Sequence, residues 1–275
     1  MKHCEGTLKG ADGLELFYQS WQTRGSAKAA IAIIHGIGEH SNHYMNIVNH
    51  FVPRGYDIHA LDLRGNGRSP GQRGYINSWI EIRNDISALL NLIKQQSYTP
   101  LFILGHCLGG VAALDYCTRH PEGLQGVIAS SPAIGKTGVP PVLWVLARIF
   151  NRIWPRFSLD NRLDISNFSR DPAVVKAFKN DPLFHTRGTA RLGMEVRHVV
   201  KWIHAHSGDL RMPLLIVHGT DDKIASPDGS REYFQNVTFS DKELREYEGG
   251  YHKLFNDIIK EQVLADTEQW LERHL

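Results

Sequence analysis

Cysteine is scarce: Cys4, Cys107 and Cys117 are three among 275 residues, an odd number without C-x-x-C spacing. That argues against a disulfide framework and against a zinc site, and leaves reduced thiols as the simplest reading. No stretch approaches the roughly 18 to 20 apolar residues of a membrane span. The first residues, MKHCEGTLKGADG, lack the apolar core of a secretory leader, so the expected location is cytoplasmic. No block of Lys or Arg accompanies the net charge of +2, which removes the usual footprint of a nucleic-acid partner. Repeats and low-complexity tracts are absent too. What remains is ordinary globular composition, 42% hydrophobic and 22% charged, on a chain long enough to bury a large core.

That core has a recognisable rhythm. Residues 14–21, LELFYQSW, follow the turn-forming Asp12-Gly13 and alternate as an antiparallel strand near a sheet edge should. From Ala29 the pattern changes to short apolar or β-branched runs, each closed by a polar residue or glycine: AAIAIIHG (29–36), YDIHALDL (56–63), PLFILGH (100–106), LQGVIASS (124–131) and PLLIVHG (213–219). Such runs predict buried parallel strands. Helix-length segments separate them, among them 78–97, with Trp79, Ile82, Ile86, Leu89, Leu90 and Ile93 at helical spacing, and 108–119. The alternation predicts an α/β fold with a mostly parallel, doubly wound sheet. Between Ser131 and Met212 it lapses into amphipathic helical stretches with no convincing strand, which reads as an insertion. The expected organisation is a core of residues 1–131 and 209–275 with a helical cap over 132–208. A helix near 227–236, a strand around 243–248 and a last helix from about Leu254 complete the core.

One turn in this pattern carries chemistry. After the run LFIL comes Gly105-His106-Cys107-Leu108-Gly109, the frame of the α/β-hydrolase nucleophile elbow with a thiol where serine is usual. An elbow exposes its nucleophile, and the N–H groups that begin the next helix favour an anion there. The fold requires an acid and then a histidine downstream. Asp221 and Asp222 follow the strand PLLIVHG, and His252 follows the strand near 243–248, which places both loops at the edge that carries the elbow. Oxyanion donors are expected from the glycine-rich turn His35-Gly36-Ile37-Gly38, as the N–H of Ile37, together with the N–H of Leu108. Neither a dinucleotide nor a P-loop glycine pattern is present, and the chemistry calls for no cofactor and no metal.

With these residues in view, the chain resembles the monoglyceride lipase and lysophospholipase branch of the α/β-hydrolase superfamily almost end to end. The likeness rests on HGIGEHSNHY (35–44), LDLRGNGRSPGQRGYINSW (61–79), GHCLGG (105–110), SPAI (131–134), DPLFHTRGTARLGMEV (181–196), HGTDDKIASP (218–227) and YEGGYHKLFND (247–257). It implies the α/β-hydrolase fold with an inserted cap, a catalytic set of Cys107, Asp222 and His252 with Asp222 preferred over Asp221, and hydrolysis of single-chain lipid esters. It also implies that Glu39 and His43 lie where the branch binds the polar end of its substrate. Three positions depart from the pattern: Cys107 for serine, Asn66 for histidine and His43 for arginine. The thiol leaves open a Ser-to-Cys hydrolase of reduced turnover, an acyltransferase working through a thioester, and a lipid-binding relic without activity.

The cap offers a partner as well. Residues 139–157 place Leu143, Trp144, Leu146, Ala147, Ile149, Phe150, Ile153 and Trp154 on a wide apolar face, with Arg148, Arg152 and Arg156 every four residues. A helix of this kind suits peripheral contact with a membrane surface, and equally a cap helix packed on the core.

Overall fold

The structure is a computed structural model that describes residues 1–10, 12–96, 99–135, 141–161 and 163–275. Position 97 of the helix expected over 78–97, residues 136–140 and 162 of the expected cap, and with them 139–140 of the amphipathic stretch, lie outside the described residues.

Eight strands form one sheet: β1 (Lys2–Lys9), β2 (Glu15–Gln22), β3 (Ala29–Ile34), β4 (Tyr56–Leu61), β5 (Leu101–His106), β6 (Gly126–Ser130), β9 (Leu214–Gly219) and β10 (Lys242–Tyr247), in the order β1-β2-β4-β3-β5-β6-β9-β10. The β1–β2 and β2–β4 pairs are antiparallel and the other pairs parallel. This is the α/β-hydrolase fold. Period-two alternation divides the apolar strand residues between two layers. Ala30, Ala32 and Ile34 of β3 face α2 (Trp79–Gln96) and α3 (Leu108–Arg119), while Ile31 and Ile33 face α1 (Met45–Phe51) and α8 (Lys260–Glu272). Each fully buried isoleucine contributes about 1.5–3 kcal/mol, enough to hold the strand register that carries the loops.

The strand at 15–22 lies near the sheet edge as expected, and the edge itself is β1. β1 is exposed at alternate residues and carries Lys2, Glu5 and Lys9, a polar pattern suited to guarding an edge and poor in apolar signal. The inserted region does contain strands, a two-stranded antiparallel pair of β7 (Ser158–Asp160) and β8 (Arg187–Thr189), each too short and polar to show a period. The last helix begins later than Leu254. A 3-10 turn over Leu254–Asn256 stops at Asp257, whose buried carboxylate accepts the Ile258 N–H and the Arg170 Nε–H at 2.6 and 2.8 Å, and α8 starts only at Lys260.

The inserted region carries α4 (Pro141–Ile153), α5 (Pro172–Asn180) and α6 (Ala190–Ala205), and α7 (Pro227–Asn236) follows β9. On α4 the apolar side is turned outward: Leu143, Leu146, Ile149 and Ile153 are 45–70% exposed, as is Trp154 just beyond. Arg148 and Arg152 are exposed beside them. Arg156 lies past the helix, stacked 4.4 Å from the Tyr75 ring centroid. Among the described residues no helix is long and apolar enough to cross a membrane.

Candidate active site

Cys107 occupies the single residue between β5 and α3, at φ 54° and ψ −116°. For a residue with a Cβ that left-handed conformation costs about 1–3 kcal/mol and persists only where neighbours enforce it. Here the Cys107 N–H donates to Ser130 O at 3.0 Å, and its carbonyl accepts from Val111 and Ala133, each at 3.2 Å. A Cβ at Gly109 would lie 2.0 Å from Ile34 O, so only glycine lets α3 start this close to β3. Cys107 is buried at 7% exposure, and the Leu108 N–H, first in α3, has no partner within the helix. The other thiols are remote in character. Cys117 is fully buried, which pushes its thiol up, and Cys4 sits on the edge strand.

The loop after β9 brings Asp222, and the loop after β10 brings His252. The His252 Nδ1–H donates to Asp222 Oδ2 at 2.7 Å, leaving Nε2 for the sulfur. Asp222 Oδ1 accepts the N–H groups of Ile224 and Ala225 at 2.8 and 2.9 Å, and His218 Nε2 lies 3.2 Å from Oδ2. Burial opposes charge on Asp222, but the His252 charge and these donors outweigh it and hold the carboxyl well below the usual range. Burial likewise opposes the His252 imidazolium, yet the charge of Asp222 and that of the Cys107 sulfur, with hydrogen bonds to both, raise its pKa to about 10. Asp221 is exposed, and its side chain makes no hydrogen bond to His252. Asp222, rather than its neighbour, is therefore the acid that meets His252.

The glycine-rich turn of residues 35–38 follows β3. His35 Nε2 accepts the Leu63 N–H at 2.8 Å, and the Gly38 N–H donates to Asn66 Oδ1 at 3.1 Å. The Ile37 N–H has no hydrogen-bond partner among the described residues. Gly38, at φ 72°, meets the inserted region so closely that a Cβ would fall 1.7 Å from His185 O. Asn66, the departure from the branch's histidine, ties turn to cap, because its Oδ1 also accepts from His185 Nε2 at 3.0 Å.

Glu39 and His43 are both engaged by protein partners. Glu39 is 2% exposed, with Lys253 Nζ at 2.8 Å from Oε2, the Tyr44 hydroxyl donating to the same oxygen at 2.8 Å, and His106 Nε2 3.5 Å from Oε1. Burial works against its charge, and Lys253 overrides this to hold the carboxyl low. Its carboxylate thus faces an internal ion pair. His43 Nε2 bonds Asp181 Oδ2 at 2.8 Å and its ring lies 4.1 Å from Phe178; burial pushes it down to about 3.

Sequence reasoning missed four contributors. Lys253 directly follows His252 and neutralises Glu39. His106 precedes Cys107 and lies 4.7 Å from the His252 ring. His218, four residues before Asp222, is buried between Ser230 Oγ at 2.7 Å and Ala225 O at 2.9 Å. Phe168, from the inserted region, covers His252 at 6.1 Å and joins Phe178 and Phe184 in an aromatic cluster. The signal for His106 and His218 was present, since each sits beside a quoted motif at a strand end. Two cavities among the described residues, of about 680 and 180 Å³, are lined by residues such as Arg170, Lys179 and Tyr251, and His43, Phe178 and Asp181, respectively.

Comparison with known proteins agrees with this fold. The family described as serine aminopeptidase, S33, matches residues 25–259. The chain is 31% identical over 274 residues to a monoacylglycerol lipase of Mycolicibacterium smegmatis, covering 98% of both chains. Among solved structures it is similar to the monoacylglycerol lipase of Paleococcus ferrophilus, with a TM-score of 0.88, 33% identity, and coverage of 95% of this chain and 100% of that one. A soluble variant of the Saccharomyces cerevisiae monoglyceride lipase, in complex with a substrate analog, matches with a TM-score of 0.87 and 25% identity over 97% of this chain and 94% of that one.

Proposed function

The chain belongs to the serine aminopeptidase, S33, family in its monoglyceride lipase branch and is a carboxylic ester hydrolase, and from that premise we propose that it cleaves single-chain lipid esters through an acyl-enzyme on Cys107. A monoacylglycerol is the substrate favoured by the relatives' names, with a lysophospholipid as the related choice. The observation that carries the catalytic assignment is the 2.7 Å hydrogen bond from His252 to a four-fold bonded Asp222, at the loop edge where the elbow presents Cys107.

The chemistry follows from these positions. Sulfur attacks the ester carbonyl once its proton has passed to His252, and the oxyanion is received by the N–H groups of Ile37 and Leu108. The imidazolium gives its proton to the departing alkoxide, which leaves as alcohol while a thioester remains on Cys107. His252 then takes a proton from water, the hydroxide adds to the thioester, and collapse releases the fatty acid and returns the proton to sulfur. Asp222 holds Nδ1 protonated throughout and stabilises the imidazolium. Glu39 and Lys253 act one layer out, as a fixed ion pair beside His106, while His43 contributes to the polar end of the site by fixing Asp181.

Residues 132–208 serve as the cap in this reading, with α4 as its contact with lipid. The exposed row Leu143, Leu146, Ile149 and Ile153, flanked by Arg148 and Arg152, supports shallow insertion at a membrane surface with the arginines at phosphate depth. A second reading, acyl transfer, is favoured by one feature: a thioester at Cys107 reacts readily with amines, thiols and alcohols as well as water. Retention of Asp222, His252 and the Ile37 turn weighs against a relic that only binds.

Intact mass after brief incubation with a panel of monoacylglycerols tests the assignment. An adduct of one acyl chain on Cys107, lost in Cys107→Ala together with hydrolysis, is the expected result. Undiminished hydrolysis by Cys107→Ala would end it, and acyl amide formed with added amine in preference to free acid would establish transfer.

A further inference from the structure

Another cluster of chemistry-bearing side chains lies outside the Cys107 centre. His40 directly precedes the 3-10 turn Ser41–Tyr44, which carries His43. The rings of His40 and His43 lie together, with centroids 4.0 Å apart. Asp181 arrives from the inserted region, where it caps the end of α5. Its Oδ2 lies 2.6 Å from His40 Nε2 and 2.8 Å from His43 Nε2, and the ligand atoms of all three residues fall within 4.8 Å of one another. The three side chains are only 5, 10 and 18% exposed.

We propose that His40, His43 and Asp181 form a divalent transition-metal site, filled best by Zn²⁺, that joins the loop after β3 to the inserted region. Two imidazole nitrogens and one carboxylate oxygen are the donors of an open zinc site, whereas Mg²⁺ and Ca²⁺ demand more oxygens. With ligands about 2.0–2.1 Å from a tetrahedral ion, nitrogen–oxygen separations widen to about 3.3 Å, so each contact opens by only about half an ångström. Room for a fourth ligand exists alongside, in a cavity of about 180 Å³ whose lining includes His43 and Asp181 together with Asn42, Asn46 and Asn256. Each histidine would exchange the Nε2 proton it now donates for an Nδ1 proton. His43 Nδ1 is buried without a hydrogen-bond partner, so support behind that ligand is incomplete and affinity in the micromolar range is expected. The scarcity of cysteine bears only on thiolate sites, and a pair of histidines meeting an aspartate from a distant segment has no spacing to read.

Binding there has a mechanical consequence. The same segment already holds the core, since the His185 N–H donates to Gly38 O at 3.1 Å and Leu183 O accepts from Arg73 at 3.0 Å. A metal would replace the two hydrogen bonds of Asp181 with stronger bonds, stabilising the fold and slowing lipid entry.

The test uses Cys107→Ser, which removes the elbow thiol. Co²⁺ is titrated as a spectroscopic probe, and Zn²⁺ by competition. One Co²⁺ per chain is expected, with a visible ligand-field band, no thiolate charge-transfer band, and displacement by Zn²⁺. In the same background His43→Arg keeps a hydrogen-bond donor beside Asp181 while deleting a ligand, so it should melt as the parent does without metal, lose Co²⁺ affinity by about a hundredfold or more, and lose the rise in Tm that Zn²⁺ gives the parent. Asp181→Asn should behave alike in metal binding. Absence of a Co²⁺ spectrum at millimolar ion, or binding of equal strength in His43→Arg, would overturn the proposal.

Discussion

Exchange of sulfur for oxygen in Cys107→Ser should raise kcat on a monoacylglycerol by between about tenfold and a hundredfold, with little change in KM. The backbone cannot shift to suit the larger atom. It is pinned at φ 54° by the bond to Ser130 O at 3.0 Å and the two bonds to its own carbonyl at 3.2 Å. On the facing side a Cβ at Gly36 would lie 3.0 Å from Cys107 Cβ, so the oxyanion turn already rests against the nucleophile. The longer bonds of sulfur therefore move the attacked carbonyl by roughly half an ångström from the Ile37 and Leu108 N–H groups. A displacement of about 1 Å costs on the order of a hundredfold, and half of it about tenfold, or about 1.4 kcal/mol. A further loss arises because a thiolate leaves the tetrahedral intermediate more readily than an alkoxide, returning it to ester. The raised pKa of His252 limits that loss, since an imidazolium stands ready to protonate the alkoxide. Fatty-acid release by both forms from the same mixed micelles, at saturating and limiting substrate and with Cys107→Ala as the baseline, measures the ratio. A serine form equal to or slower than the cysteine form would refute this reasoning and mark the site as fitted to sulfur.

Asp222→Asn should lower kcat by between about 10² and 10⁴-fold through loss of the correct His252 tautomer, whereas Asp221→Asn, exposed and outside the site, should leave it within about twofold; steady-state kinetics separate the two. His252 binds its proton more tightly when folded, pKa about 10 against about 6.5 unfolded, so the folded state holds the extra proton between these values. The stability it contributes is complete below about pH 6.5 and is lost as pH rises towards 10. The Tm advantage of the parent over His252→Gln should accordingly shrink across that window, and a constant difference would contradict the assigned charge. Replacing Leu146, Ile149 and Ile153 by serine removes about 1 kcal/mol of burial each from a lipid contact, so vesicle sedimentation should register about a hundredfold weaker binding. Hydrolysis of a short soluble ester should not change, and undiminished vesicle binding would remove α4 from the membrane reading.

The features legible in the residues alone are those whose cause is local. Runs such as AAIAII and LFIL declare buried strands because every side chain in them is apolar, and α3 and α7 fall where helices were expected, at 108–119 and near 227–236. The elbow was legible for the same reason, as a glycine-flanked turn between a strand and a helix. Order along the chain then narrowed the acid and the histidine to Asp221, Asp222 and His252. Choosing Asp222 from the sequence leaned on family resemblance; physically it needs the fold, which buries one aspartate against His252 and His218 and leaves its neighbour in solvent. The edge strand β1 and the short pair β7–β8 were missed because polar strands owe their existence to a partner strand rather than to their own composition. The environment of Glu39 and His43 was invisible for a related reason. Lys253 stands 214 residues from Glu39 in the chain and Asp181 stands 138 from His43. Apolar periodicity records which face of an element avoids water, but a charge reveals its partner only when folding has brought the two together and removed the water that would otherwise satisfy each alone.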